Sequence, residues 1–247
     1  MTDLHSHLVY GFDDGAGDRD ECCRMLELYA KAGVKKVCCT SHSGAQAARG
    51  DYFEKFCETS ELAQSFGVEA VPALEYSLTD LLADPAVPLG GSRYFLLDTA
   101  NFPIDSALIN KLMPLSAAGK FFLRAHPERL HPGGVLRDAA KCAMLRGSGC
   151  QVNAASLLGH YGAAVKEAAW ELVTSGNCSV IASDAHNAAG VKAFCQAAEM
   201  LKKLYPAESV QRWFTGNPAL ILANEAPEHP VPVQHSWYQR FKLLFAK

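Results

Sequence analysis

Short apolar runs alternate with longer amphipathic stretches along nearly the whole chain. The apolar runs predict buried strands at 2–5, 35–39, 69–74, 93–97, 121–125, 150–153 and 178–182, the last of them β-branched at Val180 and Ile181. Helical stretches lie between and after them at 19–32, 51–66, 104–118, 134–147, 161–175 and 188–204. In the first of these, Cys22, Met25, Leu26, Leu28 and Tyr29 form one apolar stripe, and Gly33 stands where a C-cap belongs. Strands that alternate with helices in this way pair in parallel through right-handed crossovers.

The polar residues follow a second pattern, because five apolar runs end in histidines or acids. Leu4 leads into His5-Ser6-His7, and Val34 to Cys39 leads into Thr40-Ser41-His42. Val71 to Leu74 leads into Glu75, and Phe121 to Ala125 into His126-Pro127-Glu128-Arg129. Cys178 to Ala182 leads into Ser183-Asp184-Ala185-His186, where an extended chain would turn Asp184 and His186 to one face. Active sites of βα barrels are built at the C-terminal ends of their strands. The expected fold is therefore an α/β barrel of seven units, with an open doubly wound sheet as the alternative.

Composition narrows the function. The 247 residues are 49% hydrophobic and 20% charged, which suits one barrel with a sizeable core. A net charge of −3 gives no basis for nucleic-acid binding. No apolar stretch approaches the ~20 residues of a membrane span. The start, Met1-Thr2-Asp3-Leu4-His5, has no basic or hydrophobic signal region, so a cytoplasmic protein is expected. Nine cysteines, two pairs of them adjacent and none in a Cys-x-x-Cys, read as reduced apolar residues. None has Arg six positions on, which excludes the nucleophile of the cysteine-dependent phosphatases. Composition changes at Ala226-Pro227, where three prolines fall within 227–232. Residues 1–225 are expected to form the domain and 226–247 a Pro-rich linker and tail. Trp237, Tyr238, Phe241, Leu244 and Phe245 give that tail an apolar stripe, with Arg240, Lys242 and Lys247 as its charges. It either packs back on the barrel or, through 236–247, rests peripherally on a membrane or a membrane-bound partner.

Nine residues are candidate metal ligands: His5, His7, Asp14, His42, Glu75, Asp98, His126, Asp184 and His186. Imidazole with carboxylate suits manganese, iron, zinc or cobalt. Nine ligands exceed the needs of one ion, so two or three divalent ions sharing carboxylates are expected. Each residue has a simpler reading alone: His5 and His7 as surface strand residues, His42 and Asp184 as caps, Glu75 and Asp98 as partners of Arg or Lys. Their common place at strand ends outweighs those readings. His131 and His160 follow Arg129 and Gly159 and would stand at the rim, whereas His229 and His235 fall in the tail.

These motifs in this order resemble the polymerase and histidinol phosphatase (PHP) superfamily, and within it the bacterial capsule and exopolysaccharide tyrosine phosphatases. The likeness rests on Asp3-Leu4-His5-Ser6-His7, Gly11-Phe12-Asp13-Asp14-Gly15, Thr40-Ser41-His42 and Ala125-His126-Pro127-Glu128-Arg129. It continues through Gln151-Val152-Asn153-Ala154-Ala155-Ser156-Leu157-Leu158-Gly159, Ile181-Ala182-Ser183-Asp184-Ala185-His186-Asn187 and Asn217-Pro218. The resemblance implies a distorted TIM-like (β/α)7 PHP barrel with three ions, manganese foremost. His5, His7, Glu75 and Asp184 would hold the first, Glu75, Asp98 and His126 the second, and Asp14, His42 and His186 the third. Arg129 would clamp the substrate phosphate and, with Asp184 and His186, form the catalytic group. The implied reaction is hydrolysis of phosphotyrosine by metal-activated hydroxide, on a protein substrate such as a tyrosine kinase of polysaccharide assembly. A small-molecule phosphomonoesterase of the histidinol-phosphatase type and a non-catalytic metal-binding module are the alternatives. The chain departs from the branch in four places. Asp98 replaces the usual Glu, and Gly190-Val191-Lys192-Ala193 replaces Gly-Arg-Pro-Pro, leaving Lys192 for the second phosphate-binding arginine. Glu75 lacks its preceding glycine, and His42 is followed by Ser43 rather than a His or basic residue.

Overall fold

The computed structural model describes residues 1–44, 49–83, 86–99, 104–130 and 132–228. The expectation for the tail at 236–247 and those for His131, His229 and His235 lie outside the described residues. Seven parallel strands follow one another around the sheet in sequence order: β1 (Thr2–Ser6), β2 (Lys36–His42), β3 (Glu69–Ser77), β4 (Tyr94–Asp98), β5 (Phe121–Arg124), β6 (Gly149–Asn153) and β7 (Val180–Ala182). Each coincides with an apolar run that predicts it. Helices α1 (Arg19–Lys31), α2 (Arg49–Ser65), the short α3 (Leu78–Ala83) and α4 (Ser106–Ala117) follow the first four strands. A single turn, α5 (Pro127–Leu130), precedes α6 (Val135–Cys142), and another short piece, α7 (Ala154–Leu158), precedes α8 (Ala163–Thr174). The chain ends in α9 (Ala188–Leu204), α10 (Ala207–Gln211) and α11 (Asn217–Leu222).

Strand alternation sorts the apolar residues into two layers. Leu4, Cys38, Val71, Ala73, Leu96, Leu123 and Val180 point inward and fill the barrel, which Leu89 and Ile221 help to close. Val37, Cys39, Phe95, Phe122 and Val152 point outward against the helices. Helix α6 ends earlier than its pattern suggests: the Met144 and Leu145 N–H groups turn back to Lys141 O and Cys142 O, and the Ser148 hydroxyl donates to Cys142 O, before Gly147 at a φ of 68° leads into β6. The cysteines are free, and burial pushes the Cys22 thiol up to about 12, consistent with an apolar role.

The barrel closes where β7 returns to β1. Ser6 bridges Ala185, the His7 N–H donates to Ala185 O at 2.9 Å, and the Asp184 N–H donates to His5 O at 2.8 Å. Asp3 lies at the base of this seam, fully buried, and burial raises its pKa. Its Oδ1 accepts the N–H groups of His5 (3.2 Å) and Ser183 (3.0 Å), and its Oδ2 accepts the Tyr29 hydroxyl at 2.7 Å. One side chain of β1 thereby holds the turn after β7 and ties helix α1 to both. At the other end of the domain the buried Asn217 amide donates to Ser179 O and Glu228 O and accepts the Glu228 N–H. Pro227 is buried as well, so packed chain continues past the composition break at 226.

Tyr29→Phe removes the hydroxyl from Asp3 and leaves a buried oxygen without its donor. The expected cost is about 1–3 kcal/mol, read as a fall in melting temperature. An unchanged melting temperature would show that this contact does not hold the seam.

Candidate metal centre

All nine predicted ligands stand at one end of the barrel. His5 lies in β1, His7 just beyond it, and Asp14 in the loop that follows. His42 ends β2, Glu75 lies near the end of β3, and Asp98 ends β4. His126 follows β5, and Asp184 and His186 follow β7. Four groups of potential ligand atoms result: His7–Asp14–His42–His186, His5–His7–Glu75, His5–His126–Asp184 and Glu75–Asp98–His126. Within each group the atoms lie within 4.8 Å of one another.

Asp184 and His186 do not meet through an extended chain. Asp184 has a φ of 50° and His126 a φ of 29°, in the left-handed region that residues with a Cβ rarely adopt. Strain of this kind persists only where the surroundings impose it. At Asp184 they do: its N–H is fixed on His5 O and its Oδ2 accepts the Asn153 amide at 2.8 Å. Helix α9 takes its N-cap from Asn187, whose side chain accepts from Ala189 and Gly190, so Asp184 is not spent as a cap.

The centre of the cluster is Glu75 Oε2. Ring nitrogens crowd it, His5 Nε2 and His7 Nε2 at 3.4 Å and His42 Nδ1 at 3.2 Å, yet it is buried and makes no hydrogen bond. His5 Nε2 and His7 Nε2 also face each other at 3.3 Å. Glu75 Oε1 meets His126 Nε2 at 3.0 Å, and Asp184 Oδ1 lies 3.2 Å from His5 Nε2 and 3.4 Å from His7 Nε2. A buried carboxylate oxygen without a hydrogen bond is costly. Converging imidazole and carboxylate atoms are what divalent transition ions take as ligands, so the residues present fit such ions.

The electrostatics agree. Burial alone would strip the His5 proton, but the Glu75 and Asp184 carboxylates outweigh it and hold the imidazole up to about 9. Burial opposes ionisation of Glu75, yet His5, His126 and His42 hold it well below the usual carboxylate range. Asp184 is driven down in the same way by His5 and His7 against its own burial. In metal-free protein, protons on the imidazoles thus supply the positive charge that the acids demand.

A second layer of residues fixes the ligands, and it is less legible in the sequence. Asp13 Oδ2 accepts from His7 Nδ1 at 2.8 Å and from the His42 N–H at 3.0 Å, while its Oδ1 accepts the Gly15 N–H at 3.0 Å. Although burial opposes it, these donors hold the Asp13 carboxyl at about 2. Such a carboxylate sets the tautomer and orientation of a ligand histidine. A Cβ on Gly15 would stand 2.2 Å from His7 O, so only glycine lets the loop pass. Gln151 Oε1 faces His5 Nδ1 at 3.1 Å and accepts the His126 N–H at 3.2 Å, and its amide donates to Asn153. Asp13, Gln151 and Asn153 carry the family resemblance, but nothing in their type or spacing distinguishes positioning from packing.

Arg129, in α5, donates from Nη1 to Asp184 Oδ2 at 2.5 Å, and its side chain is 35% exposed at the edge of the cluster. Lys192 is exposed on α9, with no hydrogen bond or ion pair to the cluster among the described residues. His160 is exposed in the loop after α7. Ser43, placed where the branch carries a basic residue, donates its hydroxyl to Asp80 Oδ2 at 2.9 Å and its N–H to Glu75 O at 2.9 Å, which steadies the end of β2.

Comparison with known proteins agrees with this architecture. The tyrosine-protein phosphatase YwqE of Bacillus subtilis (strain 168) is 25% identical over 253 residues, covering 94% of this chain and 96% of YwqE. The tyrosine-protein phosphatase CpsB of Streptococcus pneumoniae is 27% identical over 247 residues, covering 91% of this chain and 99% of CpsB. In three dimensions the fold is similar to that found in crystal structures of YwqE and CpsB, described as metal-dependent tyrosine phosphatases. The TM-score is 0.78 at 24% identity, covering 95% of this chain and 100% of the matched one. The profile of the capsular polysaccharide synthesis family CpsB/CapC spans residues 1–223, and the chain belongs to that family.

Proposed function

We propose that this chain is a metal-dependent phosphotyrosine-protein phosphatase of capsular polysaccharide synthesis, with a tyrosine kinase of the assembly system as its protein substrate. The observation that carries this reading is the unbonded Glu75 Oε2 ringed by His5, His7 and His42. Two or three divalent ions, manganese before iron, zinc or cobalt, would supply a hydroxide nucleophile near neutral pH and neutralise phosphoryl charge. His5, His7, Glu75 and Asp184 would hold one, Glu75, Asp98 and His126 a second, and Asp14, His42 and His186 a third. Asp13 keeps His7 and His42 in register, and Gln151 does the same for His5 and His126. Arg129 presents a planar fork to two phosphoryl oxygens, a task for which guanidinium is better shaped than ammonium. Lys192, exposed on α9, would contribute charge without the fork geometry of the arginine it replaces. No thiolate takes part, and the nine cysteines remain bystanders.

No helix of the described residues is long and apolar enough to cross a membrane. We place the enzyme in the cytoplasm, with the basic amphipathic residues 236–247 bringing it to the inner face of the membrane beside its kinase.

Metal-loaded protein should hydrolyse a phosphotyrosyl peptide in preference to histidinol phosphate, and chelation should abolish that activity. Full turnover after exhaustive demetallation, or a preference for histidinol phosphate, would contradict the proposal. His42→Ala and His186→Ala should lower metal content and activity together. Arg129→Ala should keep its metal and lose roughly 2–4 kcal/mol of transition-state stabilisation.

Metal-free protein should show a further signature. His5 has a folded pKa raised to about 9, so its contribution to stability is full below the unfolded value of about 6.5 and is lost as pH rises through about 9. The melting temperature of metal-free protein should fall across that window, and metal should remove the decline. A flat profile without metal would show that the acids do not lean on His5.

A chain ending at Glu228 keeps the contacts of Pro227 and Asn217 while losing the tail. It should stay active on soluble phosphopeptide but lose binding to anionic vesicles. If truncation instead lowers the melting temperature by several degrees and the full chain ignores vesicles, the tail belongs to the barrel.

A further inference from the structure

Arg129 is held from two sides. Its Nη1 donates to Asp184 Oδ2, and its Cζ stands 4.7 Å from the centre of the Tyr161 ring. That distance lies within the ~6 Å over which a guanidinium is attracted to an aromatic face. Tyr161 is nonetheless 43% exposed, so the ring offers surface beyond its contact with Arg129.

The loop that carries the ring is closely constrained. Tyr161 sits between Gly159 at a φ of 89° and Gly162 at 92°, both in the left-handed region. The His160 N–H donates to Ala155 O and the Gly162 N–H to Gly159 O, each at 3.1 Å, which folds the loop against the end of α7. Helix α7 is in turn fastened to α5. Glu128, next to Arg129 in the chain, is fully buried, and its Oε1 accepts the Ser156 hydroxyl at 2.7 Å and the Asn153 N–H at 2.9 Å. One short circuit, Arg129–Glu128–Ser156–Gly159–Tyr161, therefore sets the ring and the guanidinium relative to each other.

We infer that Tyr161 is a positioning and specificity residue of the phosphatase: its ring orients the Arg129 fork and offers its exposed face to the aryl group of phosphotyrosine. The inference rests on Arg129 being the phosphate clamp. A phosphate ester gripped there brings its substituent within reach of Tyr161, and offset stacking favours an aryl group over an alkyl one. The orientation matters more in this chain because Lys192, where the resemblance calls for a second arginine, has no fork of its own.

Steady-state kinetics on a phosphotyrosyl peptide, with inorganic phosphate as a competing inhibitor, test the assignment in metal-loaded Tyr161→Ala, Tyr161→Phe and Arg129→Ala. Tyr161→Ala should raise KM about tenfold and weaken inhibition by phosphate about threefold, with kcat, metal content and melting temperature little changed. Tyr161→Phe should restore both constants, because the ring rather than the hydroxyl acts. In an Arg129→Ala background, Tyr161→Ala should weaken phosphate inhibition no further. Wild-type constants in Tyr161→Ala, beside a damaged Arg129→Ala, would overturn this inference alone. So would a Tyr161→Phe as impaired as the alanine variant, or a Tyr161→Ala whose only defect is lost stability or metal. Wild-type kinetics in Arg129→Ala would overturn the clamp reading and this inference with it.

Discussion

Two buried carboxylates, Glu75 and Asp184, share one set of imidazoles at the mouth of the barrel, and the rest of the structure serves that arrangement. The Glu75 charge raises the proton affinity of Asp184, and burial opposes ionisation of both. Removing the partner of a buried charge costs about 3–5 kcal/mol, comparable to a large share of a domain's net stability. Positive charge must therefore be present at the centre, as protons on the histidines or as metal ions. The left-handed backbones of His126 and Asp184 belong to the same arrangement, since His126 meets Glu75 and Asp184 meets His5 from these bends. Cation binding and the local fold are thereby coupled.

Position is supplied in layers. The strands deliver the candidate ligands, and the Asp3 seam joins the two strand ends, β1 and β7, from which His5, His7, Asp184 and His186 emerge. Asp13, Gln151 and Asn153 then fix ring and carboxylate orientations by hydrogen bonds of 3.2 Å or less. Glu128 fastens the turn that bears Arg129 to the helix after β6. Exposure rises outward: the His5 and His7 side chains are sealed, while those of His42 and Asp14 are 47% and 69% exposed. The outermost of the candidate groups is thus the one most open to solvent.

Much of this is legible in the sequence because strand and ligand obey the same local rule. A short apolar run that ends in His or Asp states both a strand and its active end, as Phe121 to His126 and Cys178 to His186 do. The gathering of His5, His7, His42, Glu75, Asp98, His126, Asp184 and His186 at one end follows from that rule, whereas Asp14 stands in the loop after β1 and β6 ends in Asn153. Other features depend on contacts distant in the chain. The short helices α5 and α7 are set by Pro127 and by Gly159 at a positive φ, and four or five residues are too few for a period to show. The orienting role of Asp13 exists only because His7 and His42 meet above it. The reach of packed chain to Glu228 depends on an amide at Asn217, which a composition break at 226 does not reveal.

The most direct test is anomalous diffraction, collected at the absorption edges of manganese, iron, zinc and cobalt, from crystals of protein that turns over phosphotyrosyl peptide. The account predicts two or three anomalous peaks among the nine ligands, with the Glu75 carboxylate bound to more than one of them. Active crystals with no anomalous peak within coordination distance of Glu75 would contradict it.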